Sequence, residues 1–120
     1  LKIKKNVVLL DYVDNEEIVN LYENAFCCVM PSFLGPTNIP QLEAIALKCP
    51  VIVADVYASK EQMEDAALYI NPQKPDDIAK KILSLKNISL RNGLIEKGNL
   101  LLSKLGNEQF KKTLTRIIYQ

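Results

Sequence analysis

Between Pro31 and Glu43 the chain reads PSFLGPTNIPQLE, a stretch whose residue types could hold an anion. Gly35 lets a ligand approach the backbone closely, Pro36 stiffens the turn and Thr37 brings a hydroxyl. Asn38 combines an amide side chain with tolerance of the left-handed conformation. Ile39 follows, and Pro40 has the fixed φ that suits the first position of a helix. The N–H groups of Asn38, Ile39 and Gln41 would then point out of the helix start, where the macrodipole favours a phosphate by ~0.3–1 kcal/mol. Pro40 has no N–H, so this cradle is sparser than a glycine-rich phosphate loop. Glu43, in the opening turn, could accept hydrogen bonds from two vicinal ribose hydroxyls, each charge-assisted and worth ~1.5–3 kcal/mol. A structural Pro/Gly turn followed by a solvated glutamate accounts for the same residues without a ligand. Spacing alone does not choose between the two.

Elsewhere the chemistry thins out. The chain has no histidine, so Ser59, Thr37 and the three cysteines lack the usual base for nucleophilic catalysis. A metal site would need convergent ligands; Cys27 and Cys28, adjacent in a strand, would point to opposite faces, so no metal is expected. Asp55 ends a core strand and could face a ligand crevice, but it could equally form a turn. Glu61 and Asp65 read more simply as caps of a short helical turn. These residues describe a binding site without an obvious catalytic one.

The elements that must position this loop are α/β. Phe26–Met30 and Val51–Ala54 are short continuous apolar runs, the pattern of strands covered on both faces of a parallel sheet. A helix from about Pro40 to Lys48 joins them and stops at Cys49-Pro50. Upstream, Val7–Val13 reads as another strand. Asp14 then caps a helix to about Ala25, with Glu17 completing a capping box. Ala67–Ile70 is a fourth strand, and helices follow from Pro75 to about Leu85, from about Ser89 to Leu105 (weakened by Gly93 and Gly98), and from Glu108 to about Ile118. The 120 residues therefore form one domain, a Rossmann-like doubly wound parallel sheet of about four strands with closing helices over about 89–119. In such a sheet ligands sit outside the carboxyl ends of the strands, which is where the loop before Pro40 falls.

The net charge of +1 says little, but its distribution is uneven. Residues 1–73 carry five lysines against ten acids, and residues 74–120 carry ten basic residues against four acids. The basic tail could face anionic lipid, although charges spaced along solvated helix faces explain it more simply. Three cysteines, two of them in a core strand, fit a reduced, cytosolic protein. The first residue is Leu1 rather than Met, as in a piece of a longer chain.

From LLDYVDNEEIVNLYENAF through PSFLGPTNIPQLEAIALKCPVIVAD to DAALYINPQKPDDIA, the sequence resembles the donor-binding domain of glycosyltransferase family 4, the group 1 enzymes of GT-B fold. The resemblance covers roughly residues 7–85 without gaps. The family carries two glutamates eight positions apart around a glycine-rich loop. Aligned on Pro40, the second is Glu43, which the resemblance makes the ribose ligand; the first would fall at Gly35. Pro36 and Asn38 stand where the family has glycines, while Gly35, Thr37, Asn38 and Ile39 occupy the cradle. Tyr57-Ala58 replaces a glycine pair.

The resemblance implies the C-terminal portion of a donor domain in a retaining, metal-independent glycosyltransferase without a cofactor. Its donor would be a UDP-, GDP- or similar nucleotide sugar. Its acceptor would be a polysaccharide, a lipid-linked glycan or another glycoconjugate, held by a preceding domain. Nucleic acid is not implied as a partner. The location would be cytoplasmic, with peripheral contact at the inner face of the membrane, and this portion alone would be inactive. Two other readings stay open. One is a non-catalytic α/β interaction module whose nucleotide site has degenerated; the other is a GT-B relative such as a nucleotide-sugar epimerase.

Overall fold

A computed structural model describes residues 2–33, 39–56 and 58–106 of the chain. Three strands, β1 (Cys28–Met30), β2 (Val51–Ala54) and β3 (Ala67–Ile70), form a parallel sheet in the order β1-β2-β3. Cys28 lies opposite Val51, and Val51 opposite Ala67. The helices are α1 (Asn15–Asn24), α2 (Ile39–Ala46), α3 (Ser59–Met63), α4 (Pro75–Ser84) and α5 (Ile88–Lys104).

Period-2 alternation along the strands splits the core into two layers. Cys28, Met30, Val51, Val53, Ala67 and Tyr69 point to one face, where Ala44, Ile45, Cys49, Met63 and Leu101 pack with them. Cys27, Val29, Ile52, Leu68 and Ile70 point to the other, against Ile78, Ile82 and Leu85 of the α4 region and Leu90 and Leu94 of α5. All four residues of β2 are buried, as the central strand of a sheet covered on both sides requires. The adjacent cysteines fall on opposite faces, as their spacing predicts.

Each helix end has a local cause. At the start of α1, Asp14 accepts the Glu17 N–H at 2.9 Å while the Glu17 carboxylate accepts the Asp14 N–H at 3.3 Å, the expected capping box. Helix α2 ends with Lys48 in the left-handed region (φ 58°); the N–H of Lys48 donates to Ile45 O (3.0 Å) and that of Cys49 to Ala44 O (2.8 Å). This is a Schellman stop with lysine at the position that favours glycine. Pro75 starts α4, with Asp76 and Asp77 in its first turn, and Asn87 caps α5 by accepting the Leu90 N–H at 3.1 Å.

Two sequence expectations need correction. Val7–Val13 is not a strand: it has no sheet partner among the described residues, and Leu9 is 92% exposed. An apolar, β-prone run makes a strand only where another strand completes its ladder, and among the described residues none lies beside it. Among the described residues the sheet therefore has three strands where about four were expected. Gly98 does not merely weaken α5; it is buried against Ile45. The helix expected from Glu108 to Ile118 lies outside the described residues.

Candidate functional site

β1 delivers the chain to the carboxyl edge of the sheet at Met30, and Pro31 to Phe33 continue into solvent. Helix α2 then opens at Ile39. Gln41, Ala44 and Ile45 form its buried side. Ile39 and Glu43, one turn apart on a common stripe, are both exposed. Two of the five predicted site residues are thus brought together at the start of the helix after β1; Gly35, Thr37 and Asn38 lie outside the described residues. Because α2 begins at Ile39 rather than at Pro40, Glu43 is its fifth residue, one position further into the helix than expected.

Tyr22 of α1, which the motifs did not single out, belongs to the surroundings of Glu43. Burial pushes its phenol pKa up, and Cys28, Glu43 and Cys49 push it further. The thiols are likewise held protonated. Burial, with Cys49 and Cys27 nearby, raises the Cys28 pKa to about 11, and Cys27 and Cys49 are also raised, chiefly by burial. A thiol that resists ionisation is a poor nucleophile and a poor metal ligand. Among the described residues no three potential metal-ligating side chains converge.

At the ends of the neighbouring strands the polar residues are tied to the framework. The Ser59 hydroxyl donates to Ala54 O at 2.9 Å and accepts the Val56 N–H at 3.3 Å, closing the β2–α3 connection; its role is structural. Asp55 pairs with Lys60 at 2.7 Å, and the Lys60 ammonium also lies 5.7 Å from the Tyr69 ring centre. On the far side of the domain Arg91 of α5 donates to Phe26 O at 2.5 Å and stacks on the Phe26 ring at 4.9 Å, anchoring the helix to the entrance of β1. No helix among the described residues is long and apolar enough to cross a membrane.

A parallel sheet with helices on both faces, and an exposed carboxylate on the helix leaving its first strand, define an α/β domain of Rossmann type. Residues 1–100 match the family described as glycosyl transferases group 1, and the chain belongs to that family. It is 32% identical over 112 residues to the O-antigen chain mannosyltransferase RfbU of Salmonella typhimurium, an alignment covering 93% of this chain and 31% of that protein. It is 37% identical over 83 residues to the O-antigen chain mannosyltransferase B of Escherichia coli, covering 68% and 22%. The chain thus spans a third or less of the curated relatives it matches. Sucrose-phosphate synthase from Thermosynechococcus elongatus superposes with a TM-score of 0.81 at 24% identity, over 98% of this chain and 31% of that one, a likeness of fold.

Proposed function

We propose that this chain forms the donor-binding part of a glycosyltransferase that moves a sugar from a nucleotide-diphosphate sugar to a polysaccharide, lipid-linked glycan or other glycoconjugate. The carrying observation is the family match over residues 1–100 together with Glu43 exposed on the helix that leaves β1. Glu43 accepts the ribose hydroxyls. Gly35, Thr37, Asn38 and Ile39 approach the diphosphate, and the helix N-terminus stabilises the charge that grows there as the bond to the anomeric carbon breaks. The nucleoside diphosphate leaves with the bonding electrons, and an acceptor hydroxyl forms the new bond and gives its proton to the departing diphosphate.

In this reading the enzyme retains anomeric configuration and needs no metal, with dipoles and basic groups neutralising the leaving diphosphate. The acceptor is held by sequence beyond this chain, so the chain alone binds donor without transferring it. Because two of the matched relatives are named mannosyltransferases, mannose is the first sugar to test. We assign the protein to the cytoplasm, at the inner face of the membrane.

The test is an amide NMR titration with UDP, GDP and their sugar derivatives. Ile39 and Glu43 are expected to shift, and Glu43→Ala to weaken binding by about tenfold or more, the loss of one to two charge-assisted hydrogen bonds. Binding that survives Glu43→Ala unchanged would remove the ribose assignment. No binding at millimolar nucleotide, by this chain or by a longer one containing it, would favour the non-catalytic module, a reading to which glycine at position 35 lends support.

A further inference from the structure

A recess, about 450 Å³ in volume, opens at the carboxyl ends of β2 and β3; its lining includes Phe33, Asp55, Val56, Tyr69, Asn71, Gln73 and Asp77. None of these residues belongs to the α2 site. Its walls are braced before any ligand arrives. The Asn71 N–H donates to Asp77 Oδ2 at 2.8 Å, the Gln73 N–H to Asn71 Oδ1 at 3.0 Å, and Lys60 holds Asp55 at 2.7 Å. The Tyr69 hydroxyl donates to Glu64 O at 2.5 Å, so its ring is what remains for the recess.

Charge and polarity narrow the occupant. Lys60 balances Asp55 and Asp77 adds a negative charge, so the recess offers no net positive charge to the nucleotide's anionic portion. The density of oxygen and nitrogen in the lining disfavours an acyl chain, whose burial would leave those groups without partners. A metal is disfavoured too, since Asp55 already has its cation and Asp77 already accepts a backbone N–H. What fits is a neutral ring bearing hydroxyls. Carboxylate and carboxamide oxygens accept from hydroxyl groups, the Gln73 carboxamide donates to them, and the C–H face of such a ring packs on Phe33 and Tyr69.

We propose that this recess is a subsite for a neutral pyranose. The proposal extends the donor-site reading and rests on it for why a sugar should be presented there. Phe33 immediately precedes residues 34–38 and so joins the recess to the candidate nucleotide loop. The ring could come from two sources, the sugar of the donor or a residue of the glycan acceptor.

The experiment is an amide NMR titration of the whole chain with four probes: methyl α-mannopyranoside, mannobiose, GDP or UDP, and the corresponding nucleotide sugar. Millimolar pyranoside is expected to shift Val56, Asn71 and Gln73 and to leave Ile39 and Glu43 in place, while nucleotide alone does the reverse. If the donor supplies the ring, nucleotide sugar moves both sets with one affinity. If the acceptor supplies it, mannobiose moves the Asn71 set and nucleotide sugar does not. Phe33→Ala and Gln73→Ala, both at exposed positions, should weaken pyranoside binding about tenfold without moving the unfolding transition. Silence of the Asn71 set with every sugar, or shifts that neither variant changes, would overturn the proposal. Silence of the nucleotide arm alone would sink the donor reading and leave the recess standing.

Discussion

A β-carbon placed on Gly98 would lie 2.7 Å from Cγ2 of Ile45, so α5 and α2 meet where the glycine has only hydrogen to offer. Ile45 is 5% exposed and β-branched, and its Cγ2 is bonded directly to Cβ, so it cannot swing aside as the end of a long side chain would. Ile45 lies on the buried side of α2, while Glu43 stands exposed on the same helix. The closeness of this contact therefore sets how the candidate site is held.

Gly98→Ala should destabilise the chain by ~1–3 kcal/mol, the usual cost of overpacking, despite the better helix propensity of alanine. Gly93→Ala, with no atom within 4 Å of the new methyl, should stabilise by up to about 1 kcal/mol. Urea unfolding of the two variants is internally controlled. A midpoint raised equally by both would mean that the helices do not meet closely at Gly98.

Lys48→Gly should raise stability by about 0.5–1 kcal/mol, because lysine adopts φ 58° against the steric preference of L-residues whereas glycine does not resist it. The gain is tempered by the greater freedom glycine brings to the unfolded chain. A lower melting temperature for this variant would contradict the left-handed stop of α2.

Arg91 and Phe26 should behave as a coupled pair. A double-mutant cycle combining Arg91→Lys with Phe26→Leu is expected to return about 0.5–1 kcal/mol of coupling, since lysine cannot reproduce a planar stack while bonding the carbonyl. Additive single effects would reduce the contact to chance proximity.

Stability should fall in alkali. The Cys28 thiol, with a reference pKa of 9.0, is raised to about 11 by burial and by Cys49 and Cys27; the Tyr69 phenol, with a reference of 10.0, is raised to about 12 by burial and by Asp65, Asp55 and Glu64. Both groups ionise first in the unfolded chain, which then binds fewer protons than the folded one, so stability is complete below about pH 9 and declines above it. Denaturant midpoints measured from pH 8 to 11 test this, and Cys28→Ala should flatten the first part of the decline. A curve unchanged by that substitution would assign the whole effect to other groups.

The core strands were legible because burial on both faces leaves a compositional mark: VIVA and ALYI read directly as β2 and β3, and FCCVM contains β1. The Asp14–Glu17 cap was legible because its chemistry is local. Val7–Val13 misled because β-propensity records suitability for a strand, while a strand also needs a neighbour. The meaning of Gly98 and Lys48 was hidden for a related reason. One depends on Ile45, 53 positions away by the numbering, and the other on a backbone angle that lysine does not advertise. At the site, Glu43 could be placed near the start of the helix after β1 because Pro40 marks that start. The recess beside Asn71 could not, since it draws on three separate stretches of sequence.

The anchoring of α5 also bears on how the chain acquires its shape during synthesis. Phe26 and Ile45 leave the ribosome well before Arg91 and Gly98, their partners in the described fold. Until those later residues emerge, α2 has the sheet but not the helix that covers its buried side, and the apolar surface around Ile45 is open to anything else that would cover it. Nascent chains stalled before about residue 91 should therefore engage chaperones more than chains extended past residue 104.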